Sequence, residues 1–146
     1  MPTPLEDKDA IRELFSEYCF RMDEFRFADL GELFTEDGEW IAPYSRARGP
    51  AEIAALMARN IPRQPRRKHF IMNSLIRLDG ERATARTSYL VVLQAAGAGL
   101  TPSVAGTYED VLVRTLAGWR FRERRLVHDL AAALGLNVPD QRRPAE

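Results

Sequence analysis

Lys68-His69-Phe70-Ile71-Met72-Asn73-Ser74-Leu75-Ile76-Arg77-Leu78-Asp79-Gly80 is the stretch at which the chain changes character. Lys68 to Leu78 is a long strand candidate, and Asp79-Gly80 is a tight-turn pair, so Arg82 to Gln94 returns as the hairpin partner. Downstream, Ala95 to Leu100 with Gly97 and Gly99 reads as a flexible loop. Pro102 to Leu116, rich in Val, Thr and Tyr, is a further strand. Ala117-Gly118 turns into a last strand from Trp119 to about His128.

Upstream of Lys68 the period is helical. Thr3-Pro4-Leu5-Glu6 is a helix start, with a hydroxyl N-cap, Pro in the first turn and Glu three residues after the cap. Ile11, Leu14, Phe15, Tyr18, Met22 and Phe25 then recur at helical spacing, which carries the first helix to about Asp23 or Phe25. A second, shorter helix is expected over Phe27 to Phe34, broken by the turn residues Thr35-Glu36-Asp37-Gly38. Glu39 to Tyr44 reads as a short strand and Ser45 to Gly49 as a polar connection. Gly49-Pro50 opens a third helix with Ile53, Leu56, Met57 and Ile61 on its apolar side, ended by Pro62 and Pro65.

Helices followed by a run of strands argue an α+β fold, a curved, mostly antiparallel sheet packed around three N-terminal helices. The expected organisation is one domain over residues 1–134 and a C-terminal tail over 135–146, mobile or an inter-subunit arm. Alternation along Lys68–Leu78 places Ile71 and Leu75 on one face and Phe70, Met72, Ile76 and Leu78 on the other. A sheet apolar on both faces must be covered twice, which argues for a homo-oligomer, dimer or trimer.

Composition excludes several classes. Lys plus Arg and Asp plus Glu both number 21, so no net charge favours nucleic acid or an anionic membrane surface. No run reaches the roughly 18 apolar residues of a membrane span, and the charged N-terminus is unlike a signal peptide, so a cytoplasmic protein is expected. The single Cys19 excludes an internal disulfide, and with two histidines it argues against a zinc site. Cys19 itself reads as a buried small hydrophobe. His128, near the exit of the last strand, reads as exposed, and Arg66-Arg67-Lys68 as a solvated lead-in to its strand.

Polar residues on the apolar faces carry the functional reading. Tyr18 lies on the buried stripe of the first helix. Asp23 lies in its last turn, where the helix dipole disfavours a carboxylate by about 0.3–1 kcal/mol, so local helix energetics do not account for it. Arg21 or Arg26 would be its surface partners, and a Tyr on such a stripe is equally a core residue bonded at its rim. His69 shares its expected strand face with Ile71 and Asn73. Tyr18 and Asp23 are separated by about 140° around a helix of 3.6 residues per turn. They can share one pocket only if Asp23 sits at or past the helix end, with Phe25 and Phe27 redirecting the chain.

Tyr18-x-x-x-x-Asp23, Asp29-Leu-x-x-Leu-Phe-Thr-x-Asp37-Gly, Lys68-His69-x-x-x-Asn73 and Gly118-Trp119-Arg120, in this order, resemble the SnoaL-like branch of the nuclear transport factor 2-like superfamily. The resemblance covers roughly Leu5 to Asp129. It implies a cone-shaped barrel with a pocket at the wide end. Its closest functional echoes are scytalone dehydratase, bile-acid 7α-dehydratase and hexachlorocyclohexane dehydrochlorinase, which carry out eliminations without cofactor through an Asp–His pair, the dehydratases adding a Tyr. The matching positions are Tyr18, Asp23 and His69, expected as catalytic residues.

The expected activity is that of a cofactor-independent, dehydratase-like lyase or isomerase acting on a small, cyclic, largely apolar substrate such as a polyketide, steroid or aromatic precursor. In that chemistry Asp23 orients His69, the imidazole takes a proton, and Tyr18 donates to the substrate oxygen. Trp40, Tyr44, Asn73, Tyr89, Tyr108 and Arg124 are the expected substrate-binding residues, and no metal is expected. A solvated basic face over Arg120, Arg122 and Arg124 is the plainer reading of the last strand. The resemblance also allows a non-catalytic ligand-binding or structural subunit, like the small subunit of a ring-hydroxylating dioxygenase, a polyketide cyclase, or an epoxide hydrolase. The hydrolase would need Asp110 or Glu109 to face inward.

Overall fold

The structure is a computed structural model, and it describes residues 1–131. The expected tail over 135–146 lies outside the described residues. Helix α1 (Pro4–Asp23) begins as its sequence dictates: Thr3 Oγ1 accepts the Glu6 N–H at 3.3 Å, and a Glu6 carboxylate oxygen accepts the Thr3 N–H at 2.7 Å. Such a capping box contributes about 1 kcal/mol. Helix α2 (Phe27–Gly31), strand β1 (Phe34–Ala42), strand β2 (Ser45–Arg48) and helix α3 (Pro50–Asn60) follow. Four long strands complete the fold: β3 (Arg66–Asp79), β4 (Arg82–Gln94), β5 (Thr101–Thr115) and β6 (Gly118–Ala131).

The six strands form one sheet in the order β2-β1-β6-β5-β4-β3. All neighbours are antiparallel except β1 and β6, which run parallel. β2 and β3 are the two free edges, so the curved sheet is an open cone and not a closed barrel. Ile11, Leu14, Phe15, Tyr18 and Met22 of α1 pack into its concave side against Phe121, Leu112, Tyr108 and Trp40. Gly31 lets α2 cross α3 closely, since a Cβ there would lie 2.4 Å from the Pro50 carbonyl oxygen. Among the described residues no helix is long and apolar enough to cross a membrane.

Three expectations are corrected. The second helix stops at Gly31, and Phe34 opens β1, which reads through Thr35–Gly38 as a bulge between the pairs Phe34–Phe121 and Glu39–Glu123. Turn residues here bend a strand without ending it. Ser45 to Arg48 is a strand, its arginines belonging to an exposed edge where Arg46 pairs with Glu39. A bulge between Ile71 and Ser74 shifts β3 by one residue. Ile71, Ile76 and Leu78 therefore turn inward together, while Phe70, Met72, Asn73 and Leu75 are exposed.

Candidate active site

The end of α1 sets the geometry. Arg26 N–H donates to the Arg21 carbonyl at 2.9 Å and Phe25 N–H to the Met22 carbonyl at 3.2 Å, the paired bonds of a Schellman closure. Phe25 occupies the left-handed position usually given to glycine, at φ 59°. The helix thus stops at Asp23, as the shared pocket requires. Arg21 bonds Glu17 and the Asp29 carbonyl, and Arg26 pairs with Glu24 and Asp29. Neither is among the partners of Asp23, which turns towards β3 instead.

There the carboxylate accepts the His69 backbone N–H at 3.0 and 3.2 Å and lies 2.6 Å from His69 Nδ1. Lys68 Nζ stands 3.6 Å away on the solvent side. Both side chains of the pair are nearly buried, at 9% exposure for His69 and 7% for Asp23. The carboxylate fixes the ring through Nδ1 and leaves Nε2 as the nitrogen available for proton exchange.

His69 lines a cavity of about 360 Å³ inside the cone, while Asp23 stands behind it, outside the lining. Met22, Leu56, Met57, Ile61, Val91 and Leu93 make its apolar walls. Tyr18, Trp40, Tyr44, Tyr89 and Tyr108 also line it. Trp40 Nε1–H donates to Tyr18 Oη at 2.9 Å, which leaves the phenolic proton of Tyr18 free to donate. Burial pushes the Tyr18 phenol up, against the pull of Arg124, so the hydroxyl stays protonated through the neutral range. Tyr108 packs edge-on to Tyr18 at 5.8 Å and stacks on Tyr89 at 4.2 Å. Burial likewise pushes Cys19 up to about 11, so it is no thiolate nucleophile near neutral pH.

Two expected binding residues stand elsewhere. Asn73 falls in the β3 bulge and points to solvent. Arg124 is fully buried and is not part of the lining: its Nε and one Nη donate to the two Asp110 carboxylate oxygens at 2.9 and 2.8 Å. Its guanidinium carbon lies 4.0 to 5.2 Å from the ring centres of Tyr108, Phe121, Tyr18 and Phe15. Burial opposes that charge, but the Asp110 carboxylate more than offsets it, so the guanidinium is held above its ordinary range. Asp110 is thereby committed to Arg124, and Glu109 faces a separate surface groove. The inward acid that epoxide hydrolysis would need is missing among the described lining residues.

Sequence reasoning missed Ser45, Arg67 and His128, all of which line the cavity. His128, expected to be exposed, is only 7% exposed. A bulge between Val111 and Leu112 leaves Arg122 as the extra residue of β6. Beyond it, Arg124, Leu126 and His128 alternate inward in place of the face expected from Trp119 and Phe121. Among the described residues no group of three or more His, Cys, Asp and Glu side chains gathers in a way that would hold a metal ion.

An open six-stranded cone around a helix with a lined cavity is the architecture of nuclear transport factor 2-like proteins. A family model for the SnoaL-like domain matches residues 3–125, and the chain belongs to that family. It is 31% identical to a nuclear transport factor 2-like protein with a cystatin-like fold from Novosphingobium aromaticivorans, with 88% of this chain and 86% of that one covered at a TM-score of 0.80. A candidate scytalone dehydratase from Novosphingobium aromaticivorans DSM 12444 shares the fold at 21% identity, covering 97% of each chain at a TM-score of 0.81. The beta subunit of a candidate aromatic-ring-hydroxylating dioxygenase from the same strain shares it at 19% identity, covering 85% of this chain and 90% of its own at 0.73.

Proposed function

We propose that the protein is a cofactor-independent lyase or isomerase that moves a proton on a small, cyclic, largely apolar substrate, of the kind found among polyketide, steroid and aromatic precursors. The observation that carries this reading is the 2.6 Å contact between Asp23 Oδ1 and His69 Nδ1, with the ring of His69 on the wall of an apolar cavity. His69 Nε2 takes a proton from a carbon next to a carbonyl, and Asp23 stabilises the imidazolium that forms. Tyr18 donates its free proton towards the oxygen that gains charge. In an elimination, the imidazolium then returns its proton to the departing hydroxyl.

A generic probe tests the base whatever the natural substrate is. Removal of the ring proton of 5-nitrobenzisoxazole breaks its N–O bond and yields a coloured cyanophenolate. Saturable turnover is expected from the protein as it stands, with a loss of about 10²-fold or more in His69→Ala, the usual weight of a positioned base. Equal rates in the two proteins would remove the proton-transfer reading and favour a ligand-binding or structural subunit. The exposed Phe70, Met72 and Leu75 on the outer side of edge strand β3 also support association with a second copy, which sedimentation velocity would test. A monomer at micromolar concentration would contradict that.

A further inference from the structure

The cavity contains a second polar cluster that the Asp23–His69 chemistry leaves unused. Tyr89 on β4 stands directly opposite Gly106 on β5, which stands opposite His128 on β6. The three form one row across the inner face of the sheet. Gly106 makes the row possible, because a Cβ there would lie 2.8 Å from Tyr89 Oη and 2.1 Å from the Val127 carbonyl oxygen. The missing side chain is the space the phenol occupies. Tyr89 lies edge-on to His128 at 6.5 Å, and Tyr44, itself 66% exposed, packs over the imidazole at 5.7 Å.

Tyr89 Oη, His128 Nδ1, Ser45 Oγ and Arg67 Nε are all buried without a hydrogen-bond partner among the described residues. Buried polar atoms are nearly always bonded, so an isolated orphan calls for an explanation and four around one cavity call for a shared one. The contrast within the same cavity is direct: Tyr18 Oη is met by Trp40, and His69 Nδ1 by Asp23. Tyr89 is 1% exposed and His128 7%, so bulk water does not serve them. An apolar substrate held only at His69 would leave all four unpaired.

We propose that the Tyr89–Gly106–His128 row, with Ser45 and Arg67, is a binding site for a second oxygen of the ligand, a phenolic or enolic hydroxyl remote from the carbon that loses its proton. A hydroxyl fits because it both accepts and donates. Its oxygen accepts from the Tyr89 phenol and the Arg67 guanidinium, and its proton goes to the neutral imidazole of His128. Burial supports this protonation pattern, holding the imidazole down and the phenol up, and it favours a neutral group over a second anion. The ligand class is therefore a dihydroxylated or keto-hydroxylated fused ring, one oxygen near Tyr18 and His69 and the other at His128. The proposal rests on the cavity being the substrate site, but not on His69 acting as a base.

Binding can be measured without turnover. Calorimetric titration would compare 2-naphthol with 1,5-, 2,6- and 2,7-dihydroxynaphthalene, which share one ring system and differ in the second hydroxyl. At least one diol is expected to bind about tenfold more tightly than 2-naphthol, the worth of one to two hydrogen bonds. Tyr89→Phe and His128→Phe should each erase most of that preference, bringing the ratio of diol to 2-naphthol affinity close to one. Tyr89→Phe removes a single oxygen and so guards against a folding artefact. With two histidines in the chain, long-range ¹H–¹⁵N imidazole spectra would separate the sites, the preferred diol shifting His128 Nδ1 and 2-naphthol leaving it in place. Equal affinities across the series, no binding by any diol, or a preference that survives both variants would overturn the proposal. None of those results bears on the rate lost in His69→Ala.

Discussion

Helix α1 carries a buried carboxylate near each end, and the two have opposite surroundings. Asp7, in the first turn, accepts from Trp119 Nε1 at 3.1 Å and from an Arg114 Nη at 2.5 Å, so both of its oxygens are engaged by groups of the β5–β6 hairpin. Asp23, in the last turn, is engaged by a group that keeps a second nitrogen towards a cavity. The helix dipole favours the first placement and disfavours the second. One carboxylate closes a structural contact, and the other transmits its charge through an imidazole to an apolar space. Burial and a short bond are common to both, so neither feature alone marks a functional site. What separates them is whether the partner has a free atom facing a ligand.

That contrast can be broken by substitution. Asp23→Asn is expected to cost about 10²-fold or more in the benzisoxazole reaction, since the amide no longer stabilises the imidazolium, with far-ultraviolet circular dichroism unchanged. A variant that kept its rate would make Asp23 a second Asp7. Asp7→Asn should do the reverse, lowering Tm by several degrees while turnover stays within error, because it leaves the buried Arg114 and Trp119 contacts weakened. A large loss of turnover there would end the distinction between the two ends.

The pH dependence of stability sharpens it further. The Arg114 hydrogen bond, against the opposing effect of burial and with help from Trp119, holds Asp7 below the usual carboxylate range. Its stabilisation is thus present above the unfolded value of about 3.9 and is lost as pH falls below that value and through the lower folded one. Burial holds the His128 imidazole below its usual value, so the unfolded state binds more protons and stability begins to fall as pH drops below about 6.5. Denaturant titrations should show the upper loss disappearing in His128→Phe and part of the lower loss disappearing in Asp7→Asn. The smallest effect is expected at Phe25→Gly. It relieves a left-handed residue by about 1 kcal/mol, offset by the lost contacts of its ring with Phe27 and Arg63. Chemical denaturation should find the net change within about 1 kcal/mol.

Those features that depend on local chemistry were legible in the sequence. The Thr3–Glu6 cap, the Asp79-Gly80 turn and the ordering of helices before strands each follow from a few adjacent residues. Asp23 was legible because its position opposes the dipole, and its partner because His69 was the histidine placed on an inward strand face. Several of the losses share one physical cause. Bulges in β1, β3 and β6 insert residues that alternation cannot see. The β3 bulge sent Asn73 and Leu75 outward, and the β6 bulge brought His128 in. The same bulge turned Arg124 inward, away from the face it was expected to share with Arg120 and Arg122, and its capture by Asp110 is a cross-strand contact that no linear spacing displays.

The most direct test of the account is the benzisoxazole reaction measured for the native protein and for His69→Ala under identical conditions. A saturable rate that falls by about 10²-fold or more in the variant, with the fold intact by circular dichroism, is the result the Asp23–His69 geometry predicts. A variant that turns the probe over as fast as the native protein would contradict it.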